Sequence, residues 1–229
     1  MMNKLFNHQK KASKITLWGV SVSPFVRKVK VALAEKGLAY EQQSILPTLL
    51  LNATNCSVPE KFAKTSPLGK IPAINDGEVN VSDSAVICAY LERAYPTQNK
   101  LYPECNEKYA KVLWFENFAD NVFAEIAYKK IFMQLFIIPH VLQGVEDKEM
   151  VETAKNKELP RLFDFLESSL QGKWIIGDDF SVADIALVTQ FISLKQVDVL
   201  VDETQWPKLH AYIERVLTRS SFSQVLIEK

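Results

Sequence analysis

Residues 14–45 read KITLWGVSVSPFVRKVKVALAEKGLAYEQQSI and hold three structural signals in succession. KITLWGV (14–20) is short, apolar and bounded by Gly19 and serines, which predicts a buried strand. From Pro24 to Lys36 the period changes. Phe25, Val29, Ala32 and Leu33 recur at helical spacing, with Lys28, Lys30 and Glu35 on the other side. Gly37 ends this helix at the C′ position. LAYEQQSI (38–45) alternates loosely and predicts a second strand. Two strands joined by a crossover helix run parallel, so the chain opens with a β-α-β unit.

Downstream, residues 46–59 hold prolines, asparagines and Ser57 and read as a loop, with a short helix at 59–65. SPLGKIPAI (66–74) predicts a turn and then a strand. Asp76-Gly77, between two short apolar segments, is a type I′ hairpin signal. A helix is expected from Asp83 to Tyr95, stopped by Pro96. The order β-α-β-α-β-β-α within residues 14–95 has the size of one small α/β domain.

After a linker at 96–104 no strand pattern recurs. From Cys105 to Phe136 apolar residues return at three and four: Tyr109, Val112, Leu113, Phe115, Ala119, Val122 and Ile126. With no turn signal between them they predict one long, bent helix. A polar helix begins near Glu146, Pro160 starts or kinks RLFDFLESSL, and helices follow in FSVADIALVTQF and QWPKLHAYIERVL. Residues 105–229 thus form an all-helical domain.

The composition excludes several classes of function. The chain has 229 residues, 48% hydrophobic and 10% aromatic, enough for a packed core. Its 27 basic residues balance 27 acidic ones, so nothing global points to nucleic acid. The balance hides a basic start: residues 1–14 carry Lys4, Lys10, Lys11 and Lys14 and no acid, leaving 23 basic against 27 acidic residues beyond them. That start lacks an apolar h-region and any arginine, so it reads as a mobile extension (1–13) rather than a targeting signal. No window supplies a membrane span. Cys56, Cys88 and Cys105 are widely spaced and His8, His140 and His210 are scattered, so neither a disulfide framework nor a metal site is expected. A soluble, cytoplasmic protein is the expectation.

Four features bear on chemistry. Ser23-Pro24 is an N-cap followed by a proline at N1, and capping alone accounts for it. A hydroxyl at a helix N-terminus also suits a thiolate, because a hydrogen bond to the charged form lowers its pKa. Ile71-Pro72 opens a strand; a cis bond there would turn the Ile71 backbone toward a peptide ligand for strand-like pairing. Asp83-Ser84 reads as a helix cap, or as a site where Ser84 and the helix N-terminus bind a carboxylate while Asp83 pairs with an ammonium. Ser181 and Asp184 have capping-box spacing, with Phe180 and Ile185 at the staple positions, and this pair is assigned to folding.

Taken together these stretches resemble the cytosolic glutathione transferase superfamily over about residues 14–225. The resemblance rests on SPFVRKVKVALAEKGLAYE, SPLGKIPAI, SDSAVICAYLERAYP and GDDFSVADIALV in that order. It implies a thioredoxin-like N-terminal domain followed by an all-helical C-terminal domain. It also implies roles. Ser23 matches the catalytic serine of the serine-type classes, with Ser21 a second hydroxyl close by. Ile71 before the structural Pro72 matches the backbone clamp on the cysteinyl unit of glutathione. Asp83 and Ser84 match the pair that binds the γ-glutamyl end, and Lys70 matches a lysine that contacts the glycyl carboxylate in some classes or is a solvated turn residue. A serine in place of the omega-like cysteine argues against mixed-disulfide chemistry.

The implied activity is conjugation of the glutathione thiolate to a small hydrophobic electrophile, a detoxification reaction with glutathione as co-substrate and no further cofactor. A homodimer is expected. The alternatives are a glutathione-dependent isomerase or peroxidase, and a non-catalytic regulator such as the bacterial stringent starvation proteins, which share the fold. The acceptor wall would draw on Tyr109, Trp114, Phe115, Phe118, Tyr128 and Phe132, although aromatics at helical spacing also read as core. Lys64 is a weak candidate for the glutathione contact that the 46–60 loop usually carries.

Overall fold

Ile15 and Leu17 are buried while Thr16 and Trp18 are half-buried, so the first strand alternates as a sheet residue row must. The structure is a computed structural model that describes residues 15–227, with side chains described to residue 225. The basic extension and Lys14 lie outside the described residues. Strand β1 (Ile15–Trp18) leads into helix α1 (Pro24–Glu35) and strand β2 (Tyr40–Gln43), which pairs with β1 in parallel as the crossover requires.

The 46–59 segment is not all loop. Thr48–Ala53 forms a short helix, α2, before α3 (Glu60–Thr65). Its N-terminus is held from outside: Thr48 N–H donates to the Gly69 carbonyl at 2.8 Å. Gly69 has φ of 64°, and a Cβ there would fall 2.3 Å from Thr48 Oγ1, so the turn and the helix require a glycine between them. A long-range bond of this kind leaves no trace in local propensity.

Strands β3 (Ala73–Asp76) and β4 (Val79–Ser82) form the expected hairpin, but its two-residue loop is Gly77-Glu78. Asp76 is still in the strand, opposite Val79. Only Gly77 has a positive φ, which fits a type II′ loop rather than type I′. Asp76 is instead fully buried and accepts from the Tyr90 and Tyr95 hydroxyls, each at 2.7 Å. The sheet order is β2-β1-β3-β4 with β3 antiparallel to both neighbours, and α4 (Ser84–Ala94) follows. This is the thioredoxin-like arrangement.

The remainder is helical. One continuous helix, α5, spans 106–140: an α-helical part (Asn106–Asn117), two parts with wider π-type turns (Phe118–Phe123 and Glu125–Ile137) and a closing turn (Ile138–His140). Helix α6 spans 148–169 and also carries π-type turns, at Ala154–Glu158, just before Pro160. Then come α7 (Val182–Lys195), α8 (Pro207–Leu217) and α9 (Ser220–Ile227). The last was not anticipated. Among the described residues no helix is long and apolar enough to cross a membrane.

Helix α7 is buried from Val182 to Leu194. Its capping box forms as expected, with the Ser181 N–H on Asp184 Oδ2 at 2.8 Å. Asp184 also accepts from Ile175 N–H and the Tyr212 hydroxyl, both at 2.9 Å, so one acid ties the 170–181 loop and α8 to the start of α7.

The side of α1 opposite the apolar stripe, where helical spacing places Lys28, Lys30 and Glu35, is not a solvated face. Arg27, Lys28 and Lys30 are all buried, because α1 packs on the sheet and also against α7, α4 and α9. Lys28 meets Glu116 and Asp120 of α5, and Glu35 is held by Arg219 in a two-point contact, both at 2.7 Å.

Candidate functional site

The sheet register assembles the site. Trp18, Ala73 and Ser82 form one row across β1, β3 and β4. The next residues outward from that row are Gly19, Pro72 and Asp83, so the α1 approach, the Ile71-Pro72 step and the start of α4 share one end of the sheet. Their contacts are close. The Ile71-Pro72 bond is cis, and Asp83 N–H donates to the Pro72 carbonyl at 3.3 Å. Gly19 has φ of 139°, and a Cβ on it would lie 3.2 Å from Ile71 Cβ.

Ser23 is the N-cap of α1 and is buried, with its Oγ accepting from Val26 N–H at a long 3.4 Å. Its own hydroxyl hydrogen has no acceptor among the described residues. Ser21 is different. Its Oγ takes Lys30 Nζ at 2.9 Å and Gln42 Nε2 at 3.1 Å. The structure therefore separates the two hydroxyls: Ser21 is built into a side-chain network and Ser23 is weakly engaged.

Asp83 caps α4 through Oδ1, which accepts from Ala85 N–H at 3.0 Å and Val86 N–H at 3.2 Å. Its φ of 83° is unusual for a residue with a side chain, and such strained positions cluster at ligand sites. Ser84 is buried at the first turn, and its hydroxyl has no hydrogen-bond partner among the described residues. Ile71 is half-buried, and neither its N–H nor its carbonyl is bonded among the described residues. An extended ligand strand would find both free. Lys70 is exposed, with its ammonium in no ion pair among the described residues, while its carbonyl accepts from the Ser66 hydroxyl at 2.7 Å.

The structure divides the six candidate aromatics. Tyr128 meets Phe25 of α1 edge-on at 5.7 Å and stacks on Phe132, which stacks on Phe136. Val22, Leu46 and Leu50 pack against the same group, so an apolar patch borders the Ser23 turn. Trp114, Phe115 and Phe118 cluster instead with Phe165 of α6, and Tyr109 sits against Tyr102. Lys64 pairs with Glu60 and lines a cleft with Thr16, Trp18 and Asn80, over the sheet face rather than at its end.

Two further groups beside the site carry no local sequence signal. Arg27 reaches back to the Val22 carbonyl at 2.8 Å, immediately before Ser23. Asp120 sits beside Lys28 with its Oδ1 buried and unpartnered, near enough to Asp83 for the two charges to interact. Both read locally as solvated positions of amphipathic helices.

A glutathione S-transferase N-terminal domain matches residues 17–100, and a glutathione S-transferase C-terminal domain matches residues 123–220. Glutathione S-transferase Z1 of Arabidopsis thaliana is 31% identical over 188 residues, covering 77% of this chain and 76% of that protein. The chain belongs to the glutathione S-transferase family. Within this family, glutathione S-transferase 1 of Manduca sexta is 28% identical over 207 residues, covering 88% of this chain and 87% of its own. A glutathione transferase homologue from Drosophila mojavensis, solved with bound glutathione, is 26% identical and superposes with a TM-score of 0.74 over 93% of this chain and 95% of that one. Family membership accounts for both halves of the fold and for their order along the chain.

Proposed function

We propose that the protein conjugates the glutathione thiolate to small hydrophobic electrophiles, with Ser23 as the hydroxyl that meets the sulfur. The observation that carries this reading is the shared sheet end, where a weakly engaged Ser23, an unpaired Ile71 backbone and the Asp83-Ser84 helix start lie together. The relative solved with glutathione supports the choice of ligand.

In this reading the cysteinyl unit pairs with the Ile71 backbone as a short antiparallel strand. The α-carboxylate meets the α4 N-terminus and the Ser84 hydroxyl, and Asp83 faces the ammonium. Lys70 approaches the glycyl carboxylate. The thiol sulfur lies at the α1 N-terminus, where the Ser23 hydroxyl donates to it. The S–H proton leaves to solvent, the sulfur keeps the electron pair and forms the S–C bond, and the electrophile's leaving group departs with its own bonding pair. Bringing the thiol pKa toward about 7 raises the reactive fraction at neutral pH.

The electrophile sits against the half-buried Tyr128, Phe25 and Val22, with the buried Phe132 packed behind Tyr128, which supports an apolar acceptor. A homodimer would cover exposed apolar residues of both halves, Leu68 and Val86 in the first and Leu113 in the second. The exposed thiols of Cys56 and Cys105 suit a reducing compartment such as the cytoplasm.

Retention on immobilised glutathione followed by a conjugation assay tests the reading. Retention with turnover of an aryl halide and one thiol consumed per product supports it. Turnover without net thiol loss would assign an isomerase. No retention and no turnover would assign a non-catalytic member of the fold.

A further inference from the structure

Arg27 is 2% exposed and has no carboxylate within ion-pairing distance among the described residues. The neighbouring buried cations differ. Lys28 has Glu116 and Asp120, and Lys36 has Glu92. Arg27 makes two hydrogen bonds, both from Nη2: to the Val22 carbonyl at 2.8 Å and to Ser193 Oγ of α7 at 2.7 Å. Its Nε is buried and unpartnered. The facing titratable group is the Tyr128 hydroxyl on α5; from α7 and the 20–22 turn the partners are neutral. Burial pushes the guanidinium down to about 9, which leaves it charged at neutral pH.

A buried charge is costly unless something of opposite sign answers it. Nothing among the described residues does so for Arg27, and one group it holds is the carbonyl one residue before Ser23. The missing negative charge belongs on a ligand at that turn. We propose that Arg27 is a positioning residue for the glutathione thiolate: it fixes the Val22–Ser23 segment and supplies positive potential that the sulfur anion at Ser23 completes. This rests on the glutathione reading above.

The test compares Arg27→Gln, Arg27→Lys and Ser193→Asp with the wild type. Ser193→Asp keeps Arg27 in place and gives it a counter-ion, so the proposal stays testable if Arg27→Gln does not fold. Bound-thiolate ultraviolet absorbance against pH reports the thiol pKa, and affinity for S-methylglutathione, whose sulfur cannot ionise, reports binding alone. Arg27→Gln and Ser193→Asp should each raise the bound thiol pKa by about one unit, roughly a tenfold loss of turnover near pH 6.5 that recovers at higher pH. S-methylglutathione affinity should stay within about twofold, and Arg27→Lys should keep the wild-type profile. An unmoved pKa in folded Ser193→Asp, or equal losses for glutathione and its S-methyl derivative, overturns the role of Arg27. A wild type that binds neither compound overturns the glutathione reading, and the Arg27 role falls with it.

Discussion

Lys28 Nζ lies 2.8 Å from a carboxylate oxygen of Glu116, and both side chains are almost wholly shielded from solvent. The pair joins the first helix of the thioredoxin-like half to the long helix of the other half. Asp120 closes on the same ammonium at 2.5 Å, and the Tyr102 hydroxyl bonds Glu116. Burial alone would push Lys28 toward neutrality, but the two acids hold it charged.

Lys28→Met should therefore be severe. It leaves two buried carboxylates without a cation, and breaking a buried pair from one side costs about 3–5 kcal/mol. The triple variant Lys28→Met, Glu116→Gln, Asp120→Asn should recover much of that loss. Urea unfolding of the three proteins decides it; a single variant as stable as the wild type would contradict the account.

Ser23→Ala separates capping from chemistry. The cap bond is long at 3.4 Å, so the stability loss should fall at the low end of the N-cap range, about 0.5–1 kcal/mol. Turnover should drop at least about a hundredfold, with glutathione affinity little changed, as expected for an interaction made mainly with the anion. Ser21→Ala should show the reverse pattern, since its hydroxyl serves Lys30 and Gln42. Equal kinetic losses in both variants would remove the distinction drawn between the two serines.

Gly19→Ala tests the frame of the site. The new Cβ would fall 2.5 Å from Val26 Cγ2 and 3.2 Å from Ile71 Cβ, at a φ that strains any side chain. Overpacking of this kind costs about 1–3 kcal/mol. Because the clash presses on both α1 and Ile71, glutathione affinity should fall as well, measurable by calorimetry on the folded fraction.

Asp184 gives a pH signature. Burial raises its carboxyl to about 6, although four donors oppose the shift. The folded state thus holds the proton more tightly than the unfolded chain, whose carboxyl titrates near about 3.9. The contribution of this group to stability is fullest below about pH 4 and declines as pH rises to about 6, after which it is constant. Asp184→Asn should remove that decline from the difference between the two proteins. Parallel stability curves over this range would show that Asp184 titrates normally.

Much of the site was legible because its signals are local. A serine before proline, a proline opening a strand and an aspartate-serine at a helix start each have a backbone reason to be where they are, and the same groups are the ones the proposed glutathione site uses. The aromatic candidates were less legible. Helical spacing put Trp114 and Tyr128 in one series, but wider turns in α5 and the packing of α6 sent Trp114 to Phe165 and left Tyr128 beside Phe25. The α2 helix was missed because its first turn depends on a bond from residue 69.

The sequence by itself determined the order of elements, the two-part architecture and the three segments that meet at the sheet end, since periodicity and caps act over a few residues. Only the tertiary structure decided which charges of α1 are buried. Periodicity places Lys28 and Lys30 opposite the apolar stripe, where water would be the default. The helical half meets Lys28, and carboxylates about ninety residues away make its burial possible, while Lys30 turns to Ser21 and Gln42 of the first half. Arg27 receives no such acid among the described residues; the fold gives it only neutral partners, the Val22 carbonyl and the Ser193 hydroxyl, because α7 offers no carboxylate there.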